Sequence, residues 1–146
     1  VTINKDIIMG QIIPYLKFEE AKCAEAMEFY QSIFGGKLDI QRVGDSPAAE
    51  HMPVETHSSV MHSSLESESI KIFGSDMVDE HGAKPSFNLG LSFVGTNDEV
   101  KAAWAKLAEG GEITHDLREE FFGTYGDLVD KYGFYWMVQA EPEAKE

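Results

Sequence analysis

QIIPYLKFEEAKCAEAMEFYQSIFGG, residues 11 to 36, reads as an apolar strand, a short acidic turn, an amphipathic helix and a closing glycine pair. Ile12, Ile13, Leu16 and Phe18 carry the strand, and Glu19 and Glu20 the turn. Cys23, Met27, Tyr30 and Phe34 then form an apolar stripe at helical spacing before Gly35-Gly36. Residues 85 to 111, PSFNLGLSFVGTNDEVKAAWAKLAEGG, repeat the statement. Leu89, Leu91 and Phe93 lead into Thr96-Asn97-Asp98-Glu99, and Val100, Trp104 and Leu107 precede Gly110-Gly111. Acidic residues in the first turn suit the positive end of the helix dipole, and glycine after the last turn supplies the left-handed residue that closes it. Two copies of one unit imply a duplicated module.

After each glycine pair the pattern changes to strand-like runs. Three fit in the first copy: Lys37 to Val43, Val60 to Glu66, and Ile70 to Phe73. The second copy continues with Glu112 to Leu117, a turn-rich stretch around Gly123 to Gly126, and a terminal strand from Phe134 to Gln139. The copies differ mostly in one connection. Gly44 to Ser59, holding Pro47, Pro53, His51 and His57, has a much shorter counterpart in the second half, and a connection of that length is usually functional or mobile. The expected organisation is an N-terminal extension over 1–10, one domain over 11–140 made of modules 11–77 and 85–140, and an acidic tail over 141–146 that frays.

Composition narrows the classes. The chain has 146 residues, 42% of them hydrophobic and 11% aromatic, enough to bury a proper core. No apolar run approaches membrane-spanning length, and the first ten residues lack the form of a secretory signal, so a soluble cytoplasmic protein without membrane partners is the default expectation. A net charge of -14 repels phosphate backbones, which argues against a nucleic-acid partner. The lone Cys23 excludes an intramolecular disulfide and sits on the apolar stripe of a helix, which reads as a packed core thiol.

Further motifs carry a resemblance. Ile13-Pro14-Tyr15-Leu16-Lys17-Phe18, Ala26-Met27-Glu28-Phe29-Tyr30 and Phe34-Gly35-Gly36 open the pattern. Val60-Met61-His62, Ser64-Leu65 and Gly74-Ser75-Asp76 form its middle. Phe122-Gly123, Tyr125-Gly126, Asp130-Lys131-Tyr132-Gly133 and Trp136-Met137 form its end. Together, from Gln11 to Gln139, they resemble the PhnB-like branch of the vicinal oxygen chelate superfamily, which includes glyoxalase I, bleomycin-resistance and extradiol dioxygenase proteins. The resemblance implies an α+β fold of two tandem βαβββ modules, each a curved half-barrel sheet whose concave face helps build a cavity. It also implies a homodimer, with pocket walls within one chain or shared across subunits.

Chemistry in the superfamily usually rests on a divalent metal held by His, Gln or Glu on the first and last strands of each module, with open positions for a substrate's vicinal oxygens. Matched onto this chain, those positions fall on Pro14 or Tyr15, Phe73, Asn88 and Met137. Pro, Phe and Met are not ligands for a hard cation and Asn88 alone is weak, so no metal residues are assigned and no cofactor is expected. His62, flanked by Met61 and Ser63, matches a histidine common in PhnB-like sequences. Facing the concave surface, it would orient a ligand or act as a catalytic general base; the plainer account is a half-buried strand histidine bonded to a neighbour. His51 and His57 lie in the long loop, His81 in the Asp79-Glu80-His81-Gly82 linker and His115 beside Asp116, all more consistent with surface positions. Asp127 and Asp130, beside glycines, read as turn caps. Tyr15, Phe73, Asn88, Phe121, Phe122, Tyr125 and Trp136 are the expected ligand-binding residues, although core packing accounts equally well for the rings.

The expected function is binding of a small molecule in a largely aromatic pocket without the usual metal centre. The alternative is a metal-dependent lyase, isomerase or dioxygenase acting on a small oxygenated metabolite. Some PhnB-like proteins carry a demethylubiquinone methyltransferase label. Both glycine pairs here follow helices and precede strands, unlike a strand-to-helix nucleotide cradle, and the methyltransferase reading is rejected.

Overall fold

A computed structural model describes residues 10–78, 82, 84 and 88–142. The expected extension and tail fall mostly on residues 1–9 and 143–146, and His81 with most of the linker on 79–81, all outside the described residues. The chain runs β1 (Tyr15–Lys17), α1 (Cys23–Phe34), β2 (Lys37–Arg42), β3 (Val60–Glu66) and β4 (Lys71–Ser75). It then repeats as β5 (Leu91–Gly95), α2 (Asn97–Leu107), β6 (Glu112–Glu120), β7 (Gly123–Val129) and β8 (Tyr135–Ala140). Sheet A has the order β1-β4-β3-β2 and sheet B the order β5-β8-β7-β6. In each, the first strand pairs parallel to the last and the other pairs are antiparallel. The duplication read from the sequence is thus a duplication of topology.

The helices start differently. Thr96 caps α2 with a capping box: its hydroxyl accepts from the Glu99 amide while the Glu99 carboxylate accepts from the Thr96 amide. Glu19 and Glu20, expected at the first turn of α1, stop short of it. Glu20 and Ala21 take positive φ values of 57° and 56° to swing the chain out of β1, and the helix begins at Cys23. Its N-cap residue, Lys22, makes no side-chain cap. The cap comes from the residue that follows β4: Asp76 accepts from the Cys23 amide at 2.9 Å with one oxygen and from the Val60 amide at 2.8 Å with the other. One carboxylate thereby fixes the start of α1 against the start of β3.

The stretch around Gly123 to Gly126, expected to be a turn, belongs to the well-buried strand β7. Its glycines answer to close approach. A Cβ on Gly126 would lie 2.8 Å from both the Leu117 Cα and the Trp104 ring, so α2 packs directly on bare backbone there. Smaller displacements have similar causes. β1 is only three residues long, leaving Ile12 fully exposed, and β5 starts at Leu91 after a bend at Asn88 and Leu89. The long loop is a series of short 3₁₀ turns over Val43–Asp45, Pro47–His51 and Val54–Thr56. His57 Nε2 lies 3.1 Å from the carbonyls of both Ala49 and Met52, placing this histidine inside the loop's own scaffold.

Both helices and the inner faces of both sheets share one core. Tyr30 and Phe34 of α1 reach across the modules to Trp136, with ring centroids at 5.7 and 5.3 Å, and Phe18 meets Phe134 at 5.3 Å. At this joint sits Asp130, 3% exposed. It accepts from the Tyr30 hydroxyl at 2.6 Å, the Trp136 indole at 2.9 Å, and the Tyr132 and Phe134 amides at 2.9 and 3.1 Å. It does cap the β7–β8 turn, as expected, and also clasps α1 to sheet B. Removing the carboxylate leaves two buried and two part-buried donors unpaired, the buried ones at about 1–3 kcal/mol each before relaxation. Asp130→Ala is therefore expected to lower the unfolding free energy in urea by roughly 3–5 kcal/mol, and Tyr30→Phe by about 1–2 kcal/mol.

Candidate functional site

The sheet faces turned away from the helices carry the polar and aromatic side chains outside the core. On sheet A, Tyr15 is the register partner of Phe73, and Phe73 that of Ser64, which places His62, two residues along β3, on the same face. Three rings converge there. Tyr15 and His62 centroids are 5.6 Å apart, Tyr15 and Phe73 5.9 Å, and His62 and Phe73 4.8 Å. The Tyr15 hydroxyl and His62 Nδ1 share a hydrogen bond of 2.9 Å. Lys17 stands over the Tyr15 ring at 4.7 Å and donates to the Met77 carbonyl.

Tyr15 also lines a groove of about 320 Å³ that runs between the edge strands of the two sheets, with Lys17, Leu89, Leu91, Phe134 and Tyr135 among its walls. Tyr135 opens toward the outer face of sheet B. There Asp127, 4% exposed, sits opposite His115 on β6 and Met137 on β8. Its Oδ1 accepts from the Thr114 hydroxyl and lies 2.7 Å from His115 Nδ1, and its Oδ2 accepts from the Tyr125 hydroxyl at 2.7 Å. Burial works against the charge on Asp127, but the three hydrogen bonds from Thr114, His115 and Tyr125 outweigh it and hold the carboxyl below its ordinary range. Burial, reinforced by that same carboxylate, pushes the Tyr125 and Tyr135 hydroxyls up, so both remain protonated at neutral pH. Asp127 is a strand residue on an open sheet face, not the turn cap expected from its glycine neighbours.

The other expected site residues scatter. Phe121 and Phe122 form the tip of the β6–β7 hairpin, 95% and 39% exposed, and Phe122 approaches Tyr125 at 6.2 Å. Asn88 is exposed in the bend before β5, and Ser92, not Asn88, stands opposite Met137. Trp136 does not reach the outer face. It is 4% exposed on the helix side of β8, stacked on Phe34 and bonded to Asp130, because strand alternation turns Trp136 inward once Tyr135 and Met137 point outward. Cys23 is fully buried, and burial pushes its thiol up to about 11. His51 is exposed at the end of a loop turn. The Asp127 cluster has a sequence signal in retrospect: Thr114-His115 and Tyr125-x-Asp127 meet once Gly123 to Val129 is read as a strand.

The positions matched to superfamily metal ligands do not fit a divalent cation. Tyr15 and Phe73 offer two rings side by side, and Met137 a thioether beside Asp127. Among the described residues, no three His, Cys, Asp or Glu side chains converge as a metal-binding group. No helix is long and apolar enough to cross a membrane.

Paired four-stranded sheets of identical order, each backed by one helix, define the glyoxalase/bleomycin-resistance fold of the vicinal oxygen chelate superfamily. Within it the chain belongs to the PhnB-like family described as 3-demethylubiquinone-9 3-methyltransferase, which matches residues 10–139. It is similar to protein PA1353 from Pseudomonas aeruginosa, at 29% identity and a TM-score of 0.79 over 91% of this chain and 98% of that one. A PhnB protein from Bacillus cereus, called a putative 3-demethylubiquinone-9 3-methyltransferase, shares 25% identity at a TM-score of 0.71, covering 90% and 99%. The fosfomycin resistance protein FosX from Listeria monocytogenes, solved with Mn(II) and a dihydroxypropylphosphonic acid, shares the fold at 16% identity and a TM-score of 0.62, covering 93% and 95%. No curated protein matches the chain.

A folded-state pKa below the unfolded one means that Asp127 stabilises the fold above its unfolded value of about 3.9, and that this stabilisation is lost as pH falls through the lower folded value. Acid titrations followed by circular dichroism should show Asp127→Asn less stable than wild type at pH 7, with the difference shrinking progressively below about pH 4.

Proposed function

We propose that this chain binds a small molecule on the outer face of sheet A and in the adjoining groove, without the superfamily's usual metal centre. The observation that carries the reading is the pairing of Tyr15 with Phe73 in register, with His62 beside them, at positions matched to metal ligands elsewhere. Flat rings hold an apolar or planar ligand body, and the Tyr15–His62 pair supplies a hydrogen-bonding or proton-accepting end. Asn88, in the bend before β5, is proposed to extend the groove wall, Phe121, Phe122 and Tyr125 are proposed ligand contacts on sheet B, separate from the sheet A surface, and Trp136 contributes from the core by supporting β8.

The working unit is proposed to be a homodimer. Phe121, 95% exposed at the tip of the β6–β7 hairpin, supports this assembly. Methyl transfer is not part of the proposal, since Gly35-Gly36 and Gly110-Gly111 both join a helix to a strand. The metal-dependent lyase, isomerase or dioxygenase reading would need donors that the Tyr15–Phe73 pair does not supply.

The test is a thermal-shift screen of small oxygenated and aromatic metabolites, alongside Mn, Fe, Ni, Zn and Mg. A ligand at about a hundred times its dissociation constant stabilises by about 2.7 kcal/mol, which raises Tm by roughly 5–10 °C for a chain of this size. The expected result is such a shift for an organic ligand, weakened in Phe73→Ala and His62→Ala, with none for the metals. Stoichiometric metal in the purified protein, with a metal shift lost in His62→Ala, supports the metalloenzyme instead. Sedimentation should give twice the 16.3 kDa of one chain.

A further inference from the structure

The surface proposed on sheet A leaves the Asp127 cluster on sheet B without a role. A carboxylate only accepts hydrogen bonds, so the 2.7 Å contact fixes a hydrogen on His115 Nδ1, and in the neutral ring Nε2 keeps its lone pair. The His115 side chain is 71% exposed and that of Asp127 only 5%. A buried carboxylate, itself anchored by Thr114 and Tyr125, therefore orients an imidazole whose second nitrogen is open to solvent. In this arrangement the carboxylate selects the tautomer and matches the positive charge that the ring gains with a proton. The groups around the pair come from every neighbouring strand. β7 gives Asp127 and Tyr125, β8 gives Tyr135, and β6 itself gives Thr114, Asp116 and Arg118, the last paired with Glu120. Tyr125 and Tyr135 stay protonated, leaving Asp127 as the negative charge directly bonded to the ring. Beside the pair stands a line of rings: Phe122 lies 6.2 Å from Tyr125 at 68°, and Phe121 continues it at the hairpin tip.

We propose that His115, oriented by Asp127, accepts a proton from a ligand bearing a weakly acidic hydroxyl on a flat ring, and that the ring sits against Phe122 and Tyr125. The ligand O–H bond breaks and its electron pair stays on oxygen. An N–H bond forms at His115 Nε2, and the resulting imidazolium faces the Asp127 carboxylate. This site is on the other sheet from the Tyr15–His62–Phe73 surface and stands or falls independently of it.

The probe is 4-nitrophenol, whose ionised form is yellow. In buffer below its own ionisation, wild-type protein should produce a saturable yellow band. His115→Gln should abolish the band, Asp127→Asn should weaken it several-fold, and His51→Gln should leave it unchanged. His115 is exposed, so His115→Gln should still fold, with a melting temperature lowered by no more than the loss of its one bond to Asp127, and ¹⁵N spectra of the wild-type protein give a check that needs no variant. A neutral His115 with its hydrogen on Nδ1 supports the proposal. A hydrogen on Nε2 before ligand is added at the pH of the assay, whether in the other neutral tautomer or in a ring already carrying both hydrogens, no band in the wild type, or a band that survives His115→Gln overturns it.

Discussion

Everything in this chain hangs on a buried carboxylate at the joint between its two halves. Asp130 follows β7 in the second module, yet its shortest hydrogen bond is to Tyr30 in the first, one hundred residues away. That clasp ties α1 to sheet B and fixes Tyr30 where its ring meets Trp136, beside the stacking of Phe34 on the same indole. The desolvation cost of placing a charge there is offset by four donors on its two oxygens, two of them turn amides held in place by the β7–β8 connection. The core is continuous across the modules because its one strongly polar point is fully partnered. The same holds more widely: among the described residues, no buried side-chain nitrogen or oxygen lacks a hydrogen-bond partner.

The module is legible in the sequence because helical spacing and chain punctuation both survive in a single copy. Cys23, Met27 and Tyr30 bury the face that their three-and-four spacing indicates, with Phe34 half-buried at its end, and β3 runs over the residues expected of it. Two things escape. The cap of α1 is contributed by Asp76, fifty-three residues downstream, and no local pattern announces a cap supplied through the fold. β7 escapes because glycine is ambiguous in sequence. It marks a turn where φ must be positive and a contact where another chain segment must come close, and Gly126 serves the second purpose.

The candidate sites were legible in proportion to how local they are. His62 and Tyr15 could be placed because family-like motifs surround both, although their hydrogen bond depends on the β1–β4–β3 register. The Asp127 cluster was lost with β7: reading Asp127 as a turn residue separates it from His115 and makes both look like surface. Trp136 shows the opposite effect. A tryptophan in a terminal motif suggests a pocket, but a shift of one residue in strand phase exchanges the two faces, and Trp136 falls on the inner one.

The duplicated topology explains how chemistry can change on this scaffold while the fold does not. The inner face of each sheet is committed to its helix and to the shared core, where a substitution such as one at Trp136 or Leu128 disturbs packing on several sides. The outer face carries no such obligation: register fixes where each side chain stands, but not what it must be. At Tyr15, Phe73 and Met137 it presents two rings and a thioether. At His115 and Asp127 it holds a hydrogen-bonded imidazole and carboxylate on β6 and β7, away from the first and last strands on which the superfamily's ligands are expected. The two histidine-bearing clusters thus lie on equivalent faces of equivalent sheets, with Tyr15 and Tyr135 both opening into the groove between them. A ligand in that groove would meet an aromatic wall from each module, which gives a duplicated fold a direct way to build an asymmetric site from symmetric parts.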